Sequence, residues 1–578
     1  MKSKIILILV LFFSINSSQG QFLKKITGKK ETDSTKVEKN EKKAGGGFFQ
    51  KVVAKATKAI GNVAGGTIGA VSTIDNLNDV DVVASIGTNI YSKDLGLVVN
   101  DFLGDEWINN GDFSMIMLTS KNDFKFHKYA GTIKVNGKEI KHASYGVHTI
   151  CENPNSGPKK IVFEKNGIIE GSFEVPLPKN NIKLLSVNGQ KANANIDITK
   201  DVTLELSNFS TQKDALVRVD IVATMIGLRS LYLVAYVKPA AQVVIPFQAF
   251  RNIETSNKGF NFKNAYIAIA EQSLVKTTNN SGFFKEPIDA LTGSNDGMWV
   301  NVTNKGEQFY GYKLESEANG VKVITEKGNA AFSMPINLAK KIAVATMSIQ
   351  GTTYSQGSKT DRLQNTITET TIQFPQIPDV WQDEVLSEMY KKFTATVSEI
   401  TNGTILPETT IPTVPSYENV QQFFLEEKNN NEAFLKSYKG LNPIIPLSTA
   451  SIRLQGENAL LNESKSDALL KIKMNIELSE EKGKVFMNPT LLVGLDGASN
   501  GGFRSSVGNT KYFSIKLLGL PINVEKVFKK KGEGLTRELY SQIVQIDNFN
   551  SALKKALTEL KEKETQNKDY EIIWNLQK

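Results

Sequence analysis

The chain has very little cysteine and histidine, which narrows the chemistry it can carry. Cys151 is the only cysteine among 578 residues, so no intramolecular disulfide can form and stability must come from packed cores. The sequence has three histidines and contains no HExxH pair. These absences predict a non-enzymatic protein without a small-molecule cofactor.

Long apolar runs are also missing after the first twenty residues. Lys2 and Lys4, an apolar run from Ile5 to Phe13 and small polar residues ending near Gly20 are typical of a secretory signal peptide over residues 1–20. Its apolar core is too short to span a bilayer. We therefore expect an exported protein, in the periplasm or at the outer membrane of a Gram-negative bacterium, with secretion as the alternative.

The body of the chain has no excess of either charge. Of the formal charge of +9, the signal holds +2, and residues 21–60 hold eleven lysines against four carboxylates, a net +7. Residues 61–578 therefore carry no net charge, which predicts no nucleic-acid partner. The excess positive charge of residues 21–60, which we call the basic arm, predicts attraction to an anionic surface. Residues 21–47 lack apolar periodicity and end in glycines, so they are predicted to form a disordered tether.

A cationic amphipathic pattern follows this tether. Apolar residues recur at helical spacing from residue 48, with lysines on the other side. The candidates for membrane contact are Phe48, Phe49, Lys51, Val52, Lys55 and Lys58. Two interpretations stay open, contact with an anionic membrane surface and packing on the following domain. With Gly61, Gly65 and Gly69, the pattern leads us to predict a glycine-rich helical segment over residues 48–111.

The next region is dominated by β-strand patterns. Short segments rich in Val, Ile, Phe and Tyr alternate with turns, and Asn136-Gly137, Asn166-Gly167 and Asn188-Gly189 supply the positive φ angles of tight hairpins. The fold class is therefore multidomain and all-β at first, with immunoglobulin-like sandwich modules. The predicted units are a β domain at 112–181, an immunoglobulin-like β-sandwich at 182–275 and a β-rich connecting region at 276–339.

Residues 340–578 are predicted to form an α+β or α/β domain with a long C-terminal helix. Pro378 opens a helix that ends near Asn402-Gly403, and a second helical stretch runs from Val420 to Tyr438. In the last helix, apolar residues step by three or four from Leu535 to Leu560. That stripe is predicted to face the protein's own core, with a partner helix as the alternative.

Three segments of this domain follow a recognisable order. They are KIAVATMSI, DEVLSEMYKKFTATV before TILP, and DALLKIKMNIEL before the next long strand. This order resembles the small α/β domain shared by the periplasmic Tol-system protein and curli-secretion-type envelope lipoproteins. The resemblance covers Lys340 to Leu518, and the insertion from Gln350 to Pro378 departs from the compact pattern. It implies an envelope assembly or scaffolding role and brings no catalytic residues.

All histidines and the cysteine fall within a window of 25 residues. They are His127, His142, His148 and Cys151. A His3Cys metal site is conceivable, and in one strand His142 and His148 would share a face. The spacing matches no standard zinc signature, so we predict ordinary strand or loop placement and no metal site.

The sequence leaves two functions open. The first is a scaffold, assembly or interaction role in the cell envelope, with an anionic membrane surface or an envelope protein as partner. The alternative is an exported glycan-binding or carbohydrate-active protein, in which Trp299 with Tyr310 or Tyr312 stacks on sugar rings.

Overall fold

The computed structural model describes most of the chain beyond residue 71. The described residues are 72–97, 103, 106–120, 127–144, 146–154, 157–225, 228–251, 253, 261–304, 306–352, 354–361, 366–419, 433–443, 456–481, 483–497, 510–529 and 534–578. Within them β-strands predominate, as the sequence predicted, and helices collect towards the C terminus. None of the helices in these ranges is long and apolar enough to cross a membrane.

Short strands joined by tight turns make up the first part of the fold. They are β1 (Ser72–Ile74), β2 (Val80–Thr88), β3 (Asp112–Ser120), β4 (His127–Tyr129), β5 (Thr132–Val135), β6 (Lys138–Glu139), β7 (Lys141–Ser144), β8 (Val147–Glu152), β9 (Lys159–Lys165) and β10 (Ile168–Val175). Asn136-Gly137 joins β5 to β6 and Asn166-Gly167 joins β9 to β10, all with positive φ. Asparagine and glycine tolerate this backbone, so these two of the three predicted hairpins are confirmed. The third turn, Asn188-Gly189, also has positive φ and is closed by a bridge between Val187 and Gln190.

The middle part adds a second set of strands. Its elements are β11 (Lys183–Val187), β12 (Ala194–Asp197), β13 (Val202–Ser207), β14 (Val217–Met225), β15 (Leu228–Val237), β16 (Gln242–Ile245), α1 (Phe247–Arg251), β17 (Asn261–Lys276), β18 (Thr278–Gly282) and β19 (Asp289–Asn304). A three-stranded sheet has the order β11-β13-β16. Its apolar face meets β14 and β17 in one core, where Leu204, Ile221 and Ile267 are fully buried. We call this the middle core.

One nine-stranded sheet spans both parts. Its order is β15-β14-β17-β19-β2-β3-β8-β7, and β12 pairs with β19 as well. The half from β15 to β19 faces the three-stranded sheet, and the β2 and β3 half packs on a five-stranded sheet, β18-β10-β9-β5-β6. The halves meet where β19 and β2 run parallel, from Ala290 beside Ala84 to Ser294 beside Thr88. We call this contact the parallel seam.

The helical segment predicted over residues 48–111 is wrong where the structure describes it. Residues 48–71 lie outside the described residues, but strands begin at Ser72. β2 is an interior strand, with β3 antiparallel on one side and β19 parallel on the other. Its β-branched residues, such as Val80 and Ile86, suit a strand, and pairing on both edges satisfies its backbone groups.

The C-terminal part combines a mixed sheet with several helices. Its elements are β20 (Tyr312–Ala318), β21 (Val321–Lys327), β22 (Lys341–Thr352), β23 (Tyr354–Asp361), β24 (Thr366–Gln373), α2 (Asp379–Thr401), β25 (Thr404–Ile405), β26 (Ala433–Ser437), α3 (Gly456–Ser464), β27 (Ala468–Glu481), β28 (Lys484–Gly497), β29 (Thr510–Leu518), β30 (Ile522–Asn523), α4 (Glu525–Lys529), α5 (Arg537–Val544), α6 (Ile546–Gln566) and α7 (Asp569–Asn575). The sheet order is β20-β21-β29-β28-β27-β22-β25, with β26 beside β22 and β30 beside β28.

Two predictions from the sequence differ from the structure in this part. The connecting region 276–339 is not a unit of its own, because β20 and β21 extend the C-terminal sheet while β18 and β19 belong to earlier sheets. The helical stretch predicted from Val420 to Tyr438 is wrong at Ala433–Ser437, which forms β26. Pairing of β26 with β22 explains this difference, since edge hydrogen bonds favour the extended backbone there.

Helix α2 follows its sequence prediction closely. Pro378 is its N-cap, and Asn402 ends it in the left-handed conformation. Leu386, Met389 and Phe393 recur at helical spacing and are fully buried against the C-terminal sheet.

The single long C-terminal helix predicted from the sequence is broken at Gln545. This residue has a φ of 48° and separates α5 from α6. Its side-chain oxygen accepts from the Leu520 amide at 3.0 Å, and its side-chain nitrogen donates to the Leu520 carbonyl at 2.6 Å. These two bonds hold the break in place. Leu553 and Leu557 of α6 are fully buried, so the apolar stripe faces the protein's own core.

The last helix, α7, enters the middle core instead of the C-terminal core. Tyr570 and Ile573 are buried there with the residues of the three-stranded sheet. The Tyr570 hydroxyl donates to the Gly328 carbonyl at 2.7 Å, and Trp574 Nε1 donates to the Ala330 carbonyl at 2.9 Å. The end of the chain therefore ties the C-terminal part to the middle part.

Candidate functional site

The candidate membrane-contact residues lie outside the part of the chain that the structure describes. They are Phe48, Phe49, Lys51, Val52, Lys55 and Lys58. Their contact with a membrane stays a prediction based on the sequence pattern.

Two of the three histidines form a pair across neighbouring strands. β7 and β8 run antiparallel, and their register sets His142 directly opposite His148. The ring centroids are 4.9 Å apart and the ring planes are inclined by 56°. The sequence analysis considered both residues on one strand, whereas the structure brings them together by turning the chain at Gly146, which has a positive φ. We call these two residues the histidine pair.

Burial keeps the histidine pair neutral. His148 is 4% exposed, and burial, followed by the neighbouring charge of His142, lowers its pKa to about 4. Burial and then the charge of Lys128 also lower the pKa of His142. His142 Nε2 and His148 Nδ1 are buried and have no hydrogen-bond partner among the described residues. At neutral pH each ring therefore has an unprotonated nitrogen.

His127 and Cys151 have different partners. His127 Nδ1 is hydrogen-bonded with the hydroxyl of Ser72 at 2.8 Å, on the neighbouring strand β1. The Cys151 thiol donates to the Ile108 carbonyl at 3.6 Å, and burial raises the pKa of this thiol. Within the described ranges, no group of three or more His, Cys, Asp or Glu side chains is arranged to hold a metal ion. The structure therefore assembles two of the four residues and not all of them.

A row of polar side chains, all buried except the half-buried Asn475, crosses one face of the C-terminal sheet. Its members stand opposite one another in the parallel pair β22 and β27, with Thr346 beside Lys471, Ser348 beside Lys473 and Gln350 beside Asn475. Apolar residues alternate with them and face the helices, because strand side chains point to opposite faces in turn. We call these residues the polar row.

The two lysines of the polar row have different electrostatic surroundings. Lys471 Nζ lies 2.6 Å from Asp496 Oδ2, and both side chains are buried. Burial lowers the pKa of Lys473 to about 8. Such an amine can bind an anion when it is protonated, and it can release its proton close to neutral pH. This row was not predicted from the sequence, although two lysines alternating within an otherwise apolar strand were a signal for it.

The aromatic residues considered for sugar stacking do not form one open platform. Trp299 lies edge-on to Tyr266, with centroids 5.4 Å apart, and the Arg229 guanidinium covers its ring at 5.2 Å. Tyr312 packs against the middle core, and Tyr310 is exposed. Stacking on a sugar by Trp299 would require Arg229 to move from its ring.

Comparison with known proteins gives no family for this chain. No protein-family model matches the chain, and no curated protein does. Among solved structures, the Evf virulence factor matches with a TM-score of 0.10 and 18% sequence identity, over 17% of this chain and 40% of that chain. The matched part thus spans less than half of that protein, and a similarity this low supports no argument about fold or activity.

Proposed function

We propose that this chain is an exported, non-enzymatic cell-envelope protein with a scaffold or assembly role. Its place would be the periplasm or the outer membrane of a Gram-negative bacterium, with its basic arm on an anionic membrane surface or an envelope protein. The observation that carries the proposal is the interlocking of the three parts of the fold. A scaffold must hold its surfaces in fixed positions, whereas domains joined only by linkers move relative to one another.

The parallel seam is the first interlock. Beside its backbone pairing, the Asn295 side-chain amide donates to the Thr88 carbonyl at 2.9 Å, and the Tyr91 hydroxyl donates to Asn295 Oδ1 at 3.4 Å. Near Tyr91, the Arg218 guanidinium binds Asp220 through two nitrogens at 2.7–2.9 Å, and both charges are buried. Separating the two halves would break the bonds of Asn295 with Thr88 and Tyr91 and leave buried polar groups without partners, so these bonds oppose separation.

Helix α7 supplies the second interlock. Asp569 lies 3.6 Å from Arg251 of α1, so a charge pair connects α7 with the middle part. On the C-terminal side, buried Lys327 Nζ lies 2.8 Å from Glu564 and 4.7 Å from the Tyr570 ring centroid. The backbone amide of Lys238 also donates to the Leu576 carbonyl at 2.6 Å. These contacts favour one body over separately moving domains.

The strand order supports an immunoglobulin-like sandwich as the finer description of the middle part. The sheet β11-β13-β16 packs on β15-β14-β17-β19, so the chain passes repeatedly between two facing sheets, although β14 and β15 are consecutive in one of them. The resemblance to Tol-system and curli-secretion domains is proposed in the same way. In favour of this resemblance, α2 lies between β22 and β25 along the chain and α3 precedes β27, and β22 pairs in parallel with both β25 and β27.

Vesicle co-sedimentation of the full chain tests the membrane part of the proposal. The variant carries Lys51→Gln, Lys55→Gln and Lys58→Gln. Each lysine near an anionic surface contributes about 1 kcal/mol, so binding to phosphatidylglycerol vesicles should fall roughly a hundredfold. Binding to neutral phosphatidylcholine vesicles should be weak for both proteins, because the attraction is electrostatic.

A charge-matched control distinguishes the effect of where the lysines lie from the effect of the chain's net charge. It carries Lys191→Gln, Lys213→Gln and Lys313→Gln, three exposed residues of the folded parts. This control should bind anionic vesicles as the unmodified chain does. Equal binding by all three proteins would contradict a membrane role for the basic arm.

A further inference from the structure

We propose that the histidine pair is a binding site for one divalent transition-metal ion, with Cu²⁺ bound more tightly than Ni²⁺ or Zn²⁺. The two imidazole nitrogens supply two ligands, and water completes the coordination. This site goes beyond the proposed scaffold role and differs from the four-residue site considered from the sequence, since it uses neither His127 nor Cys151.

The spacing of the two rings fits a shared ion. Metal-nitrogen bonds of imidazole are about 2.0–2.1 Å long, so two nitrogens bound to one ion at adjacent positions lie roughly 3 Å apart. Ring centroids at 4.9 Å place the nearer edges of the two imidazoles within this range after small rotations. Direct pairing of His142 with His148 on β7 and β8 fixes the backbone distance, so little order must be gained on binding.

The state of the nitrogens also fits metal binding. His148 Nδ1 and His142 Nε2 are buried and lack hydrogen-bond partners among the described residues, which costs free energy in the empty site. Backbone groups of Gly146 and Ile116 hydrogen-bond to the His148 ring and favour its protonated form, so they act as acceptors. Since Nδ1 has no partner among the described residues, these bonds would be made by Nε2, and that tautomer leaves the lone pair on Nδ1. A metal-binding histidine is usually oriented in this way by its second nitrogen.

The surrounding charges select the kind of ion. Lys128 is the charged group that acts on both rings, and among the described residues no carboxylate is a cause of either pKa shift. Calcium and magnesium bind through several oxygen ligands, and the two imidazole rings supply none. Copper, nickel and zinc bind imidazole nitrogen well, and of the three divalent ions copper is bound most tightly. Lys128 weakens binding of every cation to some extent, and imidazole coordination must exceed this repulsion.

Metal titration of the full chain without a polyhistidine tag tests the site. Calorimetry with Cu²⁺ at neutral pH should give a saturable class of one ion per chain, and the electron paramagnetic resonance spectrum should show nitrogen coupling. His142→Gln and His148→Gln should each weaken this class by at least about tenfold, since removing a ligand costs no less than removing its orienting partner. Ca²⁺ should give no binding at either residue.

His127→Gln is the matched control, because it removes a histidine of the same region that has another partner. It should bind Cu²⁺ as the unmodified chain does. Each variant's melting temperature without metal shows whether it folds, and Ni²⁺ should raise the melting temperature of the unmodified chain and of His127→Gln only. Unchanged Cu²⁺ binding in a folded His142→Gln variant, or equal loss in His127→Gln, would overturn the proposal.

Discussion

Replacement of Ile573 by alanine tests whether α7 holds the middle core closed. Ile573 is fully buried among the apolar residues of that core. Removing buried methyl and methylene groups loses their transfer free energy and leaves a cavity, so the change should cost about 2–5 kcal/mol. Alanine is the better helix former, but its advantage is below about 1 kcal/mol and does not reverse the sign.

Native-state hydrogen exchange on the full chain measures this cost locally. Amides of α7 and of β13 should exchange roughly thirtyfold faster or more in Ile573→Ala, because 1.4 kcal/mol corresponds to about a factor of ten in an equilibrium constant. Amides of β28, in the C-terminal sheet, should keep most of their protection. A local loss of this kind would show that α7 stabilises a core formed by residues far from it in sequence.

Val380→Ala on α2 serves as the control for this prediction. Val380 is 66% exposed, so the same kind of truncation should change stability by less than about 0.5 kcal/mol. The reasoning is refuted if Ile573→Ala costs less than about 1 kcal/mol, or if β28 loses as much protection as β13.

Three further predictions concern buried polar groups, each measured by urea denaturation. Lys473→Met removes an amine whose charged form is disfavoured by burial, so its effect on stability should depend on pH. The unmodified chain should gain stability as pH rises from about 8 to about 10.5, where its folded state binds fewer protons, and the variant should lack that slope. Lys159→Met should cost about 3–5 kcal/mol, because it breaks a buried ion pair by removing the ammonium that lies 2.7 Å from the Asp112 carboxylate. Gln545→Ala should cost about 1–3 kcal/mol, because two backbone groups of Leu520 lose their bonds.

Features governed by short-range chemistry could be predicted from the sequence. The hairpin at Asn166-Gly167 depends on the two residues that adopt positive φ, and the ends of α2 depend on Pro378 and Asn402. The predominance of β-strands before the C-terminal helices followed from residue composition and alternation. In each case the deciding contacts lie within a few residues along the chain.

Features governed by distant partners could not be predicted. Nothing local in β2 indicates that β19 will pair with it, and alternation alone does not name a strand's neighbour. The break at Gln545 depends on Leu520, 25 positions away, and the histidine pair depends on the register of two strands. The polar row likewise acquires its burial only when β22 and β27 meet. A sequence read in short windows lacks this information.

The parallel seam has a consequence for biosynthesis. Asn89 and Asn295 meet there although 206 positions separate them. A ribosome adding about 5–20 residues per second needs roughly 10–40 s to cover that distance. Throughout this interval one edge of β2 has no strand to pair with, and an open β edge invites pairing between nascent chains. Conditions that slow translation should therefore increase aggregation of this chain before its second half emerges.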